Sequence, residues 1–383
     1  MKSRKKTDVE CIAYKFTVKP SKEQEHIFAN AFGCKRFLYN VMLADESYHY
    51  KTMGKSLRNE VSDYKEQYPF LCDVDSLVLA NAKLNLTTAF QKFFNGESKY
   101  PVFKKKSGRQ SFTTNCSNKK QPNLVYDMEH KLLKLPKVKE PLAVIQHRKI
   151  KTGGVLKSAT VSMETDGRYY VSMLFEYPCT GTTPIVSDTV KSIGLDMSME
   201  HFYMDSDGNV TDYPRFYRFM ESILAKEQAK LSHMVKGSNN YNKQKHRIAK
   251  LYAKIKHQRS DFLHKLSYNL VMDYDVICIE SLNMKGMAKS LHLGKSVHDL
   301  GWGEFVRMLS YKCKKYGKTL IMIDKFYPSS KACMACGYIH KGLTLSDRLY
   351  ICPSCGNIID RDWQAAINIL SEGLRIYHNL LVA

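Results

Sequence analysis

The feature that most constrains the fold of this chain is a pair of Cys-x-x-Cys motifs near its carboxyl end. Cys333 and Cys336 form the first motif, and Cys352 and Cys355 form the second after 15 intervening residues. Four thiolates at this spacing bind Zn²⁺ tetrahedrally, and each motif supplies two ligands from one tight turn. Because all four ligands are cysteines, no position stays open for a substrate. The sequence therefore predicts one structural zinc ion, with redox dithiols or buried cysteines as the alternative.

The other seven cysteines are scattered along the chain. A total of 11 is odd and does not fit a secreted disulfide framework. The amino terminus is basic but lacks the apolar segment of a signal peptide, and no run of about 20 apolar residues is present. We expect a reducing, cytoplasmic compartment, in a bacterium and at the nucleoid when the protein is bound to DNA, with these seven cysteines as small core side chains. They are Cys11, Cys34, Cys72, Cys116, Cys179, Cys278 and Cys313.

The chain is strongly basic. It has 383 residues with 59 Lys and Arg against 37 Asp and Glu, so the net charge is 59 − 37 = +22, and 44% of the residues are hydrophobic. That hydrophobic fraction supports packed domains and excludes a disordered polycation. A charge surplus that comes in patches indicates a polyanionic partner, above all nucleic acid. The simpler alternative is a basic protein without such a partner.

The amino-terminal half alternates between strand and helix patterns. Residues 10–18 alternate as a strand, and Ser21 with Gln24 predicts a capped helix start. A helical pattern extends from 23 to 94, and strand patterns then end in a hairpin that turns at 166–167. The third helical piece is predicted to have one apolar and one polar face. The apolar positions are Leu77, Leu84, Phe90 and Phe94, and the polar ones are Asn81, Lys83 and Asn85.

Three acidic residues stand out in the carboxyl-terminal half. Asp196 and Glu280 end strand patterns of the buried type, where carboxylates are costly unless they face a metal or a partner. Asp362 begins the last helical pattern. A long basic helical segment lies over 214–270, and a further helix and strand are predicted near 302–316 and 320–324. The alternatives are a turn role for Asp196 and a helix N-cap role for Asp362.

The segments around these acids and cysteines resemble the TnpB family of nucleases, which insertion sequences encode and which are related to type V CRISPR effectors. The resemblance is carried by GLDMS at 194–198, IESLNMKGM at 279–287, FYPSSKACMACG at 326–337 and CPSCGNIIDRDWQAAINI at 352–369. Upstream, YKFTVKPSKEQ, YPVFKKKS and DGRYYVS extend it to nearly the whole chain.

The resemblance implies an α/β RNase H-like (RuvC) nuclease domain with an inserted four-cysteine zinc ribbon, a β-barrel wedge domain and an inserted helical recognition domain. The implied bounds are 1–20 and 100–188 for the wedge, 21–99 for the helical domain, 189–326 and 358–383 for the nuclease, and 327–357 for the ribbon, which would bind the target nucleic acid.

The resemblance also implies roles for the acids. Asp196, Glu280 and Asp362 would bind two catalytic Mg²⁺ ions, with Asp196 bridging them. Asp360 is the competing choice for the third acid. Gln364 stands where the family pattern has Asn, so the positioning of groups near the metal is expected to differ.

Basic residues are expected to contact phosphates. The candidates in the basic loop after the first helical region are Lys104, Lys105, Lys106 and Arg109, and those in the long basic helical segment are Lys243, Lys245 and Arg247. Lys83, Asn81 and Asn85 are the candidates for recognition of a short DNA motif.

By resemblance the protein is an RNA-guided DNA endonuclease whose single RuvC site cuts both strands in turn. Its partners would be a guide RNA from the element's end and double-stranded target DNA with a short adjacent motif, with the protein acting as a monomer or a dimer on one RNA. Three alternatives remain: a CRISPR-associated effector, a guide-directed repressor without cleavage, and a transposase that joins DNA ends. The 13 histidines form no paired motif of the kind that a tyrosine transposase needs.

Overall fold

The computed structural model describes residues 9–55, 57, 59–117, 122–178, 190–284, 286, 299–344 and 346–382. The chain divides into two compact units, Met1–Thr180 and Gly181–Ala383. The polar segment at 180–188, where the sequence suggests a domain boundary, lies outside the described residues, as does Cys179.

The first unit contains a seven-stranded antiparallel sheet with the strand order β2-β6-β7-β1-β5-β4-β3. Side chains of its long strands alternate between the core and the surface, which is why the alternating sequence patterns were predictive. The predicted hairpin joins β6 to β7, and Gly167 supplies the positive φ of 78° that its turn requires. The strands are β1 (Val9–Val18), β2 (Gln110–Asn115), β3 (Val125–Asp127), β4 (Leu132–Lys134), β5 (Leu142–Ile145), β6 (Val155–Met163) and β7 (Tyr169–Pro178).

Helices are inserted between β1 and β2. The first begins with the predicted capping box, in which the Ser21 hydroxyl accepts from the Gln24 backbone N–H and the Gln24 side chain accepts from the Ser21 N–H. It ends at Gly54, whose left-handed φ of 65° fits a helix C-cap. The helices are α1 (Lys22–Met53), α2 (Val61–Gln67), a 3₁₀ turn (Pro69–Asp73) and α3 (Ser76–Phe94).

The predicted apolar face of α3 is wrong at two of its four positions, since Phe90 packs against the core and Leu77 is partly buried. Leu84 is 59% exposed and Phe94 is 72% exposed. The buried positions recur at intervals of three and four residues, as a helix stripe must, whereas the predicted set is spaced by seven, six and four. The side chains that α3 buries are Val78, Leu79, Ala82 and Leu86.

The second unit is built on a five-stranded mixed sheet with the order β10-β9-β8-β11-β12. Strand β8 pairs antiparallel with β9 and parallel with β11, and β11 pairs parallel with β12. A separate antiparallel pair, β13–β14, follows. The elements are β8 (Ser192–Met197), β9 (Tyr203–Asp205), β10 (Val210–Thr211), α4 (Phe216–Ser232), α5 (Asn239–Asp273), β11 (Val276–Glu280), α6 (Trp302–Tyr316), β12 (Thr319–Ile323), β13 (Leu349–Ile351), β14 (Ile358–Asp360) and α7 (Arg361–Val382).

Helices cover both faces of this sheet. Ile193 of β8 and Ile279 of β11 belong to a core with Phe305 of α6 and Leu263 of α5. On the opposite face, residues of β11 and β12 pack against α7. Side chains alternate along each strand, so residues 194, 196, 278 and 280 point toward the α7 face. This alternation places the two strand acids on the same side as α7.

The scattered cysteines only partly follow the prediction. Cys34, Cys278 and Cys313 are buried, but Cys11 and Cys72 are exposed and are not core side chains. Cys11 lies on β1 near its end, where one face of the strand is accessible. Among the helices of the described ranges, none has the length and apolar character needed to cross a membrane.

Candidate active site and zinc ribbon

Two acids meet at the carboxyl ends of the central parallel strands. The register pairs Leu195 of β8 with Ile279 of β11, so the following residues, Asp196 and Glu280, lie side by side. Both are half-buried, and both point to the face that α7 covers. The strand patterns that end in an acid therefore converge on one point, as the sequence predicted.

Helix α7 approaches these strands unusually closely. A Cβ atom added to Gly194 would lie 2.3 Å from the Ala366 carbonyl oxygen, and one added to Gly373 would lie 2.2 Å from the Cys278 Sγ. The two contacts fall two residues before Asp196 and two residues before Glu280. They hold the helix antiparallel to both strands, with its first turn at their carboxyl ends.

This first turn carries Asp362 toward the strand acids. Burial, and then the carboxylates of Asp362 and Glu280, raise the pKa of Asp196 well above its ordinary value, while the Arg361 guanidinium opposes the shift. Burial also raises the pKa of Glu280. Carboxylates that repel one another in a half-buried place are a site for cations, whose hard character suits oxygen ligands. The structure therefore brings together the three acids that the sequence singled out.

The N-cap role considered for Asp362 belongs instead to Asp360. The Asp360 Oδ1 accepts from the backbone N–H groups of Asp362 and Trp363 at 2.9 and 3.0 Å. The Asp362 carboxylate lies 3.2 Å from the Arg361 Nη2 and 3.9 Å from the Arg348 Nη1. Asp360 thus starts the helix, and Asp362 is the acid that faces charged groups.

The Trp363 side chain links the start of α7 to the sheet. The Trp363 Nε1 donates to the Ser206 carbonyl oxygen at 3.0 Å, and the ring lies against Gly208, where a Cβ would be 3.2 Å away. Ser206 in turn exchanges hydrogen bonds with Gly194 of β8 through its backbone N–H and its hydroxyl. The residue after Asp362 is thereby tied to the strand that carries Asp196.

The four predicted zinc ligands converge. All four sulfur atoms lie within 4.8 Å of one another, with 3.7 Å between Cys333 and Cys355 and 3.6 Å between Cys336 and Cys352. A tetrahedral Zn²⁺ with Zn–S bonds of about 2.3 Å separates its sulfurs by about 3.8 Å, so the donor set fits zinc. Within the ranges the structure describes, this is the one cluster of at least three such ligands at that spacing.

The two metal-binding turns have the same backbone design. Gly337 and Gly356 have φ of 74° and 73°, and their N–H groups donate to the carbonyls of Cys333 and Cys352. Tyr350 fills the small core between them, and its hydroxyl donates to two backbone carbonyls. This ribbon has only a small core, so a metal ion bound by the four cysteines would contribute to its folding.

Helix α7 also holds the ribbon in place. Asn368 Nδ2 donates to the carbonyls of Ser329 and Ala332, both at 2.7 Å. Gln364, which replaces the family's usual Asn, is fully buried, and its Oε1 lies 3.5 Å from the Met334 N–H. The longer amide thus faces the first metal-binding turn, and its Nε2 has no hydrogen-bond partner in the described part of the chain.

The predicted basic residues differ in their surroundings. Lys83 Nζ is paired with Glu60 at 2.6 Å, and Arg247 Nε is paired with buried Glu227 at 3.2 Å. Asn81 bonds to backbone carbonyls of α3 and β2 and to Asn115, so its amide is engaged in the fold. Asn85 is exposed. The remaining predicted residues are also exposed: Lys104, Lys105, Lys106, Arg109, Lys243 and Lys245.

Sequence reasoning missed Arg348, Trp363 and Asn368. Arg348 lies between the two cysteine pairs, where a basic residue looks like a solvated loop cation, yet it reaches both Asp362 and Glu200. The available signal was the Asp-Arg-Asp run before Trp363, because a helix needs one capping residue and a second acid beside it indicates a further role.

Comparisons with known proteins agree with this site. Residues 161–291 match a family described as "Probable transposase", residues 302–369 match "Cas12f1-like, TNB domain", and residues 11–55 match a "Helix-turn-helix domain". In the structure the last range covers most of β1 and one continuous helix, α1, together with the two residues after it.

Two relatives align along most of the chain. A Streptomyces pristinaespiralis protein named "Putative RNA-guided DNA endonuclease" is 34% identical over 94% of this chain and 89% of its own length. The Escherichia coli protein "Putative RNA-guided DNA endonuclease InsQ" is 29% identical over 94% and 92%. A solved Cas12f1–sgRNA–target DNA complex has a protein chain with a similar fold, with a TM-score of 0.61 at 13% identity over 91% of this chain and 83% of that one.

The fold and the four-cysteine ribbon, together with the family matches, are those of a RuvC-like nuclease with a zinc ribbon. The chain belongs to the TnpB family.

Proposed function

We propose that this protein is an RNA-guided DNA endonuclease of a transposable element and that Asp196, Glu280 and Asp362 are its catalytic residues. The observation that carries the proposal is the convergence of these three carboxylates where β8, β11 and the start of α7 meet. The full-length relatives that bear the endonuclease name support it.

The three acids suit a pair of divalent ions. Bound Mg²⁺ would supply an activated water and neutralise charge on the scissile phosphate. Asp196 adjoins Glu280 on the neighbouring strand and feels the charge of Asp362, so Asp196 would hold both ions, with Glu280 and Asp362 each completing one side. Burial, and then repulsion from Asp362 and Glu280, raises the pKa of Asp196, and bound cations would relieve that repulsion.

Arg348 would assist at the edge of the site. Its side chain is 63% exposed, and its two terminal nitrogens lie near Asp362 and Glu200. A guanidinium there can move to a phosphate oxygen when nucleic acid binds and can stabilise charge that develops during cleavage. The zinc ribbon would therefore contribute to the reaction by holding Arg348 as well as by binding the target strand.

The first unit would handle recognition. Its seven-stranded sheet would act as the β-barrel wedge domain and its inserted helices as the recognition domain. Its exposed lysines at 104–106 would follow phosphate backbones, as would the exposed lysines of α5 in the second unit. Guide RNA would select the target by base pairing, and the protein would recognise a short motif in the adjacent duplex. One active site would cut the two strands in turn.

The test is to sequence the RNA that co-purifies when the protein is expressed with its flanking DNA. A single RNA that ends in sequence from the element's boundary supports the proposal. An RNA with a CRISPR repeat would instead assign the protein to the effector class. Absence of any defined RNA from folded, zinc-loaded protein would overturn the guided mechanism and favour a protein-only role in binding or cutting DNA.

A further inference from the structure

A short basic turn, residues 104–109, is fixed to helix α1. The Asn40 side chain donates to the Lys104 carbonyl at 2.9 Å and accepts from the Lys104 N–H at 2.7 Å, as a neighbouring strand would. The buried Gln110 amide donates to two carbonyl oxygens of the turn, one of them that of Lys106 at 2.7 Å. The turn is thus held at both ends, although its side chains are exposed.

Cations from α1 lie beside this turn. Lys35 Nζ donates to the Ser111 carbonyl at 2.9 Å, and Arg36 Nη1 donates to the Gln110 Oε1 at 2.8 Å. Lys104 Nζ lies 4.9 Å from the centre of the Tyr39 ring, which steadies it by a cation–π contact. The α1 cation cluster, as we call it, consists of Lys35, Arg36, Lys104, Lys105, Lys106 and Arg109.

The described residues supply no carboxylate that pairs with the cluster. Within the described ranges, none of its six members forms an ion pair with a carboxylate within 4.0 Å, whereas lysines elsewhere in the same unit, such as Lys15 and Lys83, do. Burial, and then the charges of Arg109 and Lys104, lower the pKa of Lys35. The fold therefore holds a half-buried ammonium next to like charges, an arrangement that an anion would stabilise.

The ligand should be compact, singly or doubly negative and rich in oxygen acceptors. The ammonium of Lys35 makes one hydrogen bond with the described residues, so two of its three N–H groups can donate to a ligand. Arg109 adds a planar donor fork and Lys104 a point charge, which together match the geometry of a phosphate group. Exposed Phe103 at the edge of the turn offers a surface for a base or sugar.

We propose that Lys35, Lys104 and Arg109 form a binding site for one backbone phosphate of a nucleic acid, with Lys35 as its half-buried anchor. The identity of that nucleic acid rests on the proposed function and is either the guide RNA or the target DNA. The exposed Lys105 and Lys106 would attract the phosphate backbone of the nucleic acid. Lys35, which is remote in sequence from the basic turn, would bind one phosphate at a fixed position.

The test uses full-length protein with Asp196→Ala, so that DNA stays intact, and compares Lys35→Met, Arg109→Gln and the double variant. Fluorescence anisotropy measures the affinity for the co-purifying RNA and then the affinity of the RNA-loaded protein for matched duplex DNA. We expect Lys35→Met to weaken one of these about 5- to 10-fold and to reduce the salt slope by about one ion. Because the residues share one phosphate, the double variant should lose little more than the stronger single variant.

Two variants serve as controls. Lys35→Arg keeps the charge and should stay within about 2-fold of the parent, and Lys134→Met removes an exposed lysine of β4, outside the cluster, and should do the same. Circular dichroism and thermal unfolding check that each variant folds.

The two affinities distinguish the ligand. A loss in RNA affinity assigns the phosphate to the guide RNA, and a loss confined to DNA binding assigns it to the target. If folded Lys35→Met retains parental affinity and salt slope in both assays, the site does not exist. A general single-stranded RNA of about 20 nucleotides is tested in parallel. If no defined guide is found but Lys35→Met still weakens binding of this RNA, the phosphate site stands while the proposed function fails.

Discussion

Replacing Gly194 by alanine tests how the active site is assembled. The new Cβ would lie 2.3 Å from the Ala366 carbonyl oxygen and 2.8 Å from the Leu370 backbone nitrogen. Ordinary contact begins near 3.4 Å, so α7 must retreat by about 3.4 − 2.3 = 1.1 Å, because the obstacle is backbone and cannot rotate away. Overpacking of this kind costs about 1–3 kcal/mol of folding free energy.

This shift of α7 should displace Asp362, because Asp362 lies on the first turn of the same helix. A displacement of about 1 Å in a catalytic group lowers rates by about 100-fold. We therefore expect Gly194→Ala to reduce the single-turnover cleavage rate of matched DNA by about 10- to 100-fold. Affinities for RNA and DNA should change by less than about 3-fold, because no proposed phosphate-binding residue contacts this position.

Gly303→Ala is the matched control. Gly303 lies in the same unit, is exposed near the start of α6, and a Cβ there would meet nothing within 4 Å. Alanine is the better helix former, so this variant should be as stable as the parent or slightly more stable and should cleave normally. Cleavage by folded Gly194→Ala at the parental rate would refute the claim that this contact sets the position of Asp362.

Four further predictions follow from the site and the sheet. Asp196→Asn should abolish cleavage, at least 1,000-fold in rate, while DNA affinity measured by anisotropy stays within about 3-fold, since only metal binding is lost. Cys355→Ser should lower zinc content, measured by atomic absorption, to well below one per chain and should reduce cleavage, because the ribbon loses a ligand. Arg348→Ala should slow cleavage about 10-fold or more at full zinc content, and an unchanged rate would remove Arg348 from the mechanism. Hydrogen bonds from the Lys318 ammonium and the Lys191 backbone N–H hold the pKa of Asp275 below its ordinary value. The ionised Asp275 carboxylate therefore stabilises the fold above about pH 4, and this stabilisation is lost as the pH falls through the lower pKa of the folded state. Asp275→Asn should therefore cost about 1 kcal/mol at pH 7 after allowance for solvent screening and less near pH 3, and an equal cost in urea unfolding at both values would contradict the assignment.

Local features of the sequence predicted much of this structure. The capping box at Ser21, the hairpin turn at Gly167 and the two metal-binding turns each depend on residues within a few positions of one another. The strand acids were predictable because an acid that ends a buried strand needs a partner, and parallel pairing brings Asp196 beside Glu280.

Contacts between distant segments were not predictable. The sheet and α1 determine which face α3 buries, and Leu84 lies on the other face and is exposed although it is hydrophobic. Arg348 reaches Asp362 only because the zinc ribbon folds back on the nuclease core. Lys35 and Arg109 are 74 positions apart in the sequence but close enough in the fold for their charges to interact, and no local sequence pattern predicts that they meet. Asp360 and Asp362 are equally good caps by composition, and only the helix start distinguishes them.

A plasmid assay tests guided, metal-dependent cleavage at one site most directly. Protein loaded with an RNA whose guide segment has been replaced by a chosen sequence is incubated with plasmids that do or do not contain the match. We expect linear plasmid to appear only with the matched target, the wild-type protein and Mg²⁺, and to be absent with Asp196→Ala. Cutting that ignores the guide sequence, or that survives Asp196→Ala, would contradict it.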